Sequence, residues 1–228
     1  MKNFFIILLL LTGTICFASD DSAILREQTC QQRINETGVR ILNANKIDKH
    51  IVFTYNKGAF KKHLNDPPIT KRQIIFYEEY FKYVSDDDEL AAFLAHQISH
   101  AVKSYSGAWG GLANSVQIKC SPKKYEIFAD KRAVDYLVRA GYNPLGLITF
   151  MNKSKPQNIL DKLLFHNPTS RRMAEVYEYI YMNYPYYLAN NEYINNPDYQ
   201  NFLLNSLGNR ALLQAKIQSG SKKRVKYE

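Results

Sequence analysis

The chain has 228 residues, a formal net charge of +9, 46% hydrophobic residues and 3 cysteines. That length and apolar content exclude a disordered tail protein and allow one domain with a sizeable core. So few cysteines exclude a disulfide-dense mini-protein. The basic excess brings no aromatic-basic stripe of the kind that stacks on bases, so no nucleic-acid partner is expected.

The first residues read as a secretory signal peptide, residues 1–18. Lys2 is a short positive start, Phe4 to Leu11 is an unbroken apolar run, and Ala18 is a small residue before Ser19. The run is shorter than the ~20 residues a spanning helix needs, which argues against a membrane anchor. Ile15 is a poor neighbour for a lipidated Cys16. Export leaves Cys30 and Cys120, which pair as a disulfide in an oxidising compartment or stay as two buried thiols.

Residues 19–185 read as one mainly helical α+β domain, and 186–228 as a C-terminal helical extension with a basic tail. Residues 22–47 are helical in pattern, with Ile24, Leu25, Ile34, Val39, Ile41 and Leu42 offered to one face. Ile51 to Tyr55 and Gln73 to Tyr77 read as strands, rich in β-branched and aromatic residues. Ser85 followed by Asp86, Asp87, Asp88 and Glu89 predicts a capped helix running to about Lys103. Leu90, Leu94, Gln97, Ile98 and Ala101 share its broad face. A further helix is expected from Pro122 to Ala140, with Phe128, Val134, Leu137 and Val138 on its apolar side and Gly141 as its stop. Shorter helices are expected at 144–152, 158–165 and 169–184, and one more near 197–217. The tail from Ser221 to Lys226 reads as a solvated end, with a weak contact to an anionic surface as the alternative.

His96 and His100 stand four apart, so on a helix their imidazoles leave one face and can grip a single metal ion. Glu126 follows 26 residues after His100, on the next helix. It can supply a third ligand and leave the fourth tetrahedral position to water, the open arrangement of a catalytic zinc site. Asp130, one turn on, can accept a hydrogen bond from a ligand histidine and set its tautomer.

The stretch from Asp88 to Ala101, containing His96-Gln97-Ile98-Ser99-His100, resembles the active-site helix of metallopeptidase family 48. This is the gluzincin group of HtpX-type, CAAX prenyl and BepA-like peptidases. Glu126-Ile127-Phe128-Ala129-Asp130 is similar to its Glu-x-x-Ala-Asp element. Ala140 to Pro144 is similar to its Ala-Gly-Tyr-Asp-Pro turn, and His166 to Arg172 to its later His-Pro…Arg element.

The resemblance implies a zincin-like domain with a small sheet whose edge strand, near Gln73 to Tyr77, receives extended or unfolded polypeptide. It implies about one zinc ion per chain, held by His96, His100 and Glu126, with Asp130 behind them. His166 and Arg172 would lie near the metal and stabilise the oxyanion; alternatively His166 takes the open zinc position. Activity would be proteolysis of envelope or misfolded proteins in the bacterial periplasm or at the outer membrane.

Two departures stand out. The stretch from His100 to Glu126 is shorter than the family's usual one. Gln97 occupies the position of the family's general-base glutamate; it can position a water but cannot take its proton. The chain therefore reads as a zinc metalloendopeptidase relative, or as a zinc-binding pseudopeptidase that holds polypeptide as a chaperone-like or regulatory factor.

Overall fold

The computed structural model describes residues 24–58, 73–104, 122–154 and 168–227. The signal-peptide residues, the helix expected at 158–165, Cys120 and His166 lie outside them. The described chain is mainly helical, with one small parallel sheet. No described helix is long and apolar enough to cross a membrane.

Helix α1 covers residues 24–44. Only part of its expected apolar face is used. Ile34, Ile41 and Leu42 are buried, whereas Ile24, Leu25 and Val39 are exposed. Gly38 is where α1 meets the sheet: a Cβ there would fall 2.5 Å from the Phe53 ring, so the helix can sit this close only without a side chain.

Strand β1 is Val52–Asn56 and strand β2 is Gln73–Tyr77. They pair in parallel, Val52 opposite Gln73 and Asn56 opposite Tyr77. The Gln31 amide of α1 acts as a third strand along the outer side of β1. It donates to the Phe53 carbonyl at 2.9 Å and accepts from the Tyr55 N–H at 2.7 Å. The outer side of β2 has no strand beside it among the described residues. A 3₁₀ turn, Glu78–Tyr83, then leads the chain toward the central helix.

That helix, α2, is Asp87–Ser104. Leu90, Ala91, Ala92, Leu94, Ala95, Ile98 and Ala101 have no exposed surface, so α2 is enclosed on more than one side. Its alanines let neighbours approach closely. Phe93 meets Phe76 of β2 edge-on at 5.1 Å, which fixes the sheet against α2. The cap is Asp86 and not Ser85: the Asp86 carboxylate accepts from the Glu89 N–H at 2.8 Å. Glu89 reaches back to accept from the Ser85 N–H, one residue before the cap, at 2.6 Å. Glu89 is itself fully buried and paired with Lys153 at 2.6 Å.

Helix α3 is Pro122–Arg139, and it ends as expected at Gly141. Gly141 has φ +73. Its N–H donates to the Val138 carbonyl at 3.1 Å and the Tyr142 N–H to the Leu137 carbonyl at 2.9 Å. Of the apolar side expected for α3, Val134 and Leu137 are buried, but Phe128 is 46% exposed. Phe128 instead lies under two cations, Lys103 and Arg132.

The turn after α3 lands on α2, where the Asn143 N–H donates to Asp88 at 2.8 Å. Helix α4 is Leu145–Ser154 and helix α5 is Pro168–Asn183. After the short α6, Tyr186–Ala189, Tyr193 returns to the start of α2 and donates to Asp86 at 2.9 Å.

The single helix expected near 197–217 is two. They are α7, Pro197–Asn205, and α8, Leu207–Gln218, broken at Ser206. The break lets Phe202 enter the main core while Leu213 packs with Ala174 and Tyr227 in a second small cluster. The tail is not a free solvated end. Arg224 donates to Glu175 at 2.6 Å, and buried Tyr227 donates to Glu178 at 2.7 Å. Val225 and Tyr227, alternate residues among the lysines, supply the apolar contact that holds this strap on α5.

Candidate metal centre

Helices α2, α3 and α5 each send side chains to one place. His96 and His100, one turn apart on α2, face Glu126 and Asp130, one turn apart on α3. Arg172, in the second turn of α5, closes the cluster. All five residues were singled out from the sequence. His166 lies outside the described residues.

The two Nε2 atoms are 3.0 Å apart. Glu126 carboxylate oxygens lie 3.5 Å from His96 Nε2 and 3.3 Å from His100 Nε2. The three donors are within 4.8 Å of one another and could hold a metal ion. Zinc–nitrogen and zinc–oxygen bonds of about 2.0–2.2 Å at tetrahedral angles put donors about 3.3–3.5 Å apart. The two separations to Glu126 lie within that edge length and the Nε2–Nε2 one falls about 0.3 Å short of it, close enough for the three donors to hold one ion.

Behind the donors, His96 Nδ1 is 2.9 Å from Asp130 Oδ1. A carboxylate this close to Nδ1 favours the proton there and leaves the Nε2 lone pair for an ion. Asp130 has no exposed surface. The Arg172 guanidinium clamps it in a bidentate fork, with Nε and Nη2 each at 2.7 Å. Arg172 Nη1 also lies 3.2 Å from Glu126. With all three nitrogens engaged on the two carboxylates, Arg172 is arranged to position the ligand shell.

These contacts set the charges. Burial acts to raise the carboxyls, but His100, His96 and Arg172 outweigh it at Glu126 and hold that group well below the usual carboxylate range. At Asp130 burial is likewise outweighed, first by Arg172 and then by His96. Burial pushes the His100 imidazole below its ordinary value, toward the neutral form a metal requires. At His96 burial acts downward, and the bonds to Asp130 and Glu126 reverse it.

One neighbour was not given a role from the sequence. Tyr125 stacks on His100 with centroids 4.8 Å apart and a 25° interplanar angle, and Lys103 Nζ sits 4.4 Å from the Tyr125 ring centroid. Its position next to Glu126 was the available signal, because a helix turns successive residues by about 100° and can give both to α2. Gln97 is half-buried on α2 beside His96. Cys30 has no disulfide partner among the described residues, and its expected partner Cys120 lies outside them.

No protein-family model, curated protein or solved structure matches the chain.

Proposed function

We propose that the chain is a zinc-dependent protein of the gluzincin metalloendopeptidase type, acting on unfolded or extended polypeptide in the cell envelope. The observation that carries this reading is the convergence of His96, His100 and Glu126 at separations near a tetrahedral edge, backed by Asp130 and Arg172. Two imidazoles and one carboxylate are the donor set of catalytic zinc sites that keep one position open. A bound zinc ion would supply Lewis acidity toward a water and a peptide carbonyl.

The chain's own residues do the rest. Asp130 holds the His96 tautomer, and Arg172 keeps both carboxylates ionised and aimed. Tyr125 braces the His100 ring. Gln97 can orient a water by hydrogen bonding, but it has no proton to exchange.

The experiment is cleavage of an unfolded protein such as casein by the zinc-loaded chain, with Gln97→Glu beside it. The glutamate variant is expected to cleave faster by about 10²–10⁴-fold, the range for a positioned acid–base group. A zinc-loaded, folded Gln97→Glu chain that cleaves nothing would overturn the peptidase reading.

Gln97 also favours a second reading, a zinc-binding pseudopeptidase that holds polypeptide without cutting it. Strand addition along β2 suits this role, since Gln31 already occupies the outer side of β1. In that case the native chain binds unfolded protein stoichiometrically and releases it intact.

A further inference from the structure

A second feature lies away from the metal centre. Helices α5, α6 and α8 and the start of the C-terminal strap form a groove of about 960 Å³, lined by Met182, Pro185, Leu188 and Ile217 with the cations Lys216 and Lys222. Tyr181 and Ile217 also line an adjoining groove along α8. No acidic side chain lines either part. Met182 in the first groove's lining is 58% exposed, and Tyr186, next in the chain to the lining Pro185, is 68% exposed, a large apolar outlay for a surface that faces only water.

The cations around this groove divide into two kinds; Arg210, which lines the groove along α8, donates to the Leu203 carbonyl and belongs with the engaged ones. Lys216 is committed to Glu178, and Arg224 to Glu175. Lys222, Lys223 and Lys226 are exposed and form no ion pair among the described residues. Because Arg224 and Tyr227 anchor the strap, Lys222 is held at the groove it lines, with Lys223 next to it in the chain.

We infer that this face docks on an anionic bilayer surface, with Met182, Tyr186 and Leu188 entering the headgroup–acyl boundary and Lys222 and Lys223 meeting the lipid phosphates. Charge complementarity selects this occupant: an apolar, aromatic and methionine-bearing surface with unpaired lysines and no acids matches an interfacial membrane site. Docking would be independent of whatever chemistry the metal centre performs. It would nonetheless place that centre close to the membrane, since Arg172 and Met182 are ten residues, about 15 Å, apart along α5.

The test is co-flotation of the full chain with phosphatidylglycerol–phosphatidylcholine vesicles and with phosphatidylcholine vesicles alone. Two variants are run beside it: Met182→Glu with Tyr186→Glu, and Lys222→Glu with Lys223→Glu. All four positions are exposed, so both variants are expected to fold, with circular dichroism as the check. The native chain should float with the anionic vesicles and not the neutral ones. Each double variant should weaken that binding by at least about tenfold. Absence of binding to anionic vesicles overturns the inference. So does full binding by the Met182→Glu, Tyr186→Glu variant, which would mean adsorption by lysine charge alone. A concentration-dependent dimer that the same variant abolishes would also overturn it, assigning the face to a second copy of the chain.

Discussion

Helix α5 carries two charged clusters one turn apart, and they differ in how completely they satisfy themselves. At Arg172 two ionised carboxylates, Glu126 and Asp130, share one guanidinium, and two imidazole nitrogens face each other at 3.0 Å. That cluster gathers two carboxylates and two imidazoles around a single guanidinium. At Glu175 the buried carboxylate takes both Lys131 and Arg224, each at 2.6 Å. Nothing there asks for a further cation. Burial of charge alone thus does not mark a candidate metal centre; the gathering of ligand-type donors does.

The comparison predicts a graded set of effects. Asp130→Ala should be the most damaging, because it removes the bidentate partner of the buried Arg172 guanidinium, leaving it Glu126 alone, and frees the His96 ring. Leaving a buried charge without its partner costs about 3–5 kcal/mol, and losing an outer partner weakens metal binding by about 10–100-fold. Chemical denaturation and zinc titration measure the two separately. Glu175→Ala should cost about 1–3 kcal/mol, read by the same denaturation, and leave zinc stoichiometry unchanged. If it stripped zinc, the two clusters would not be independent.

Acid should act on the strap in a defined direction. Burial acts to raise Glu175, but its bonds to Lys131 and Arg224 prevail and lower it. A depressed carboxyl contributes stability that is present above its unfolded value, about 4.3, and is lost as pH falls through the folded one. Hydrogen exchange at residues 222–227 should therefore quicken in that acid window. Arg224→Ala should have the smallest effect, under about 1 kcal/mol in the same denaturation, since the arginine side chain is 55% exposed.

Much of the site was legible because helical spacing places side chains directly. His96 and His100, and Glu126 and Asp130, need only the four-residue repeat and two helices to become facing pairs. The strands and the starts and stops of α2 and α3 followed from local signals of the same kind. What escaped depended on distant partners. The acidic start of α2 reads as charge at a helix end, but Glu89 is buried because Lys153 of α4 reaches it. Ser206 breaks a continuous helical pattern because α7 and α8 pack on different neighbours. The lysines at 222, 223 and 226 hide the fact that Val225 and Tyr227 pack inward and Arg224 meets a buried acid.

Zinc content tests the central claim most directly. The purified full chain, loaded with zinc and dialysed, should retain about one ion per chain, the capacity of a single three-donor site. The His100→Ala chain, equally folded by circular dichroism, should retain none. Folded native protein that holds no zinc after loading, or a His100→Ala chain that holds as much as the native one, would contradict the assignment of His96, His100 and Glu126 as a metal centre.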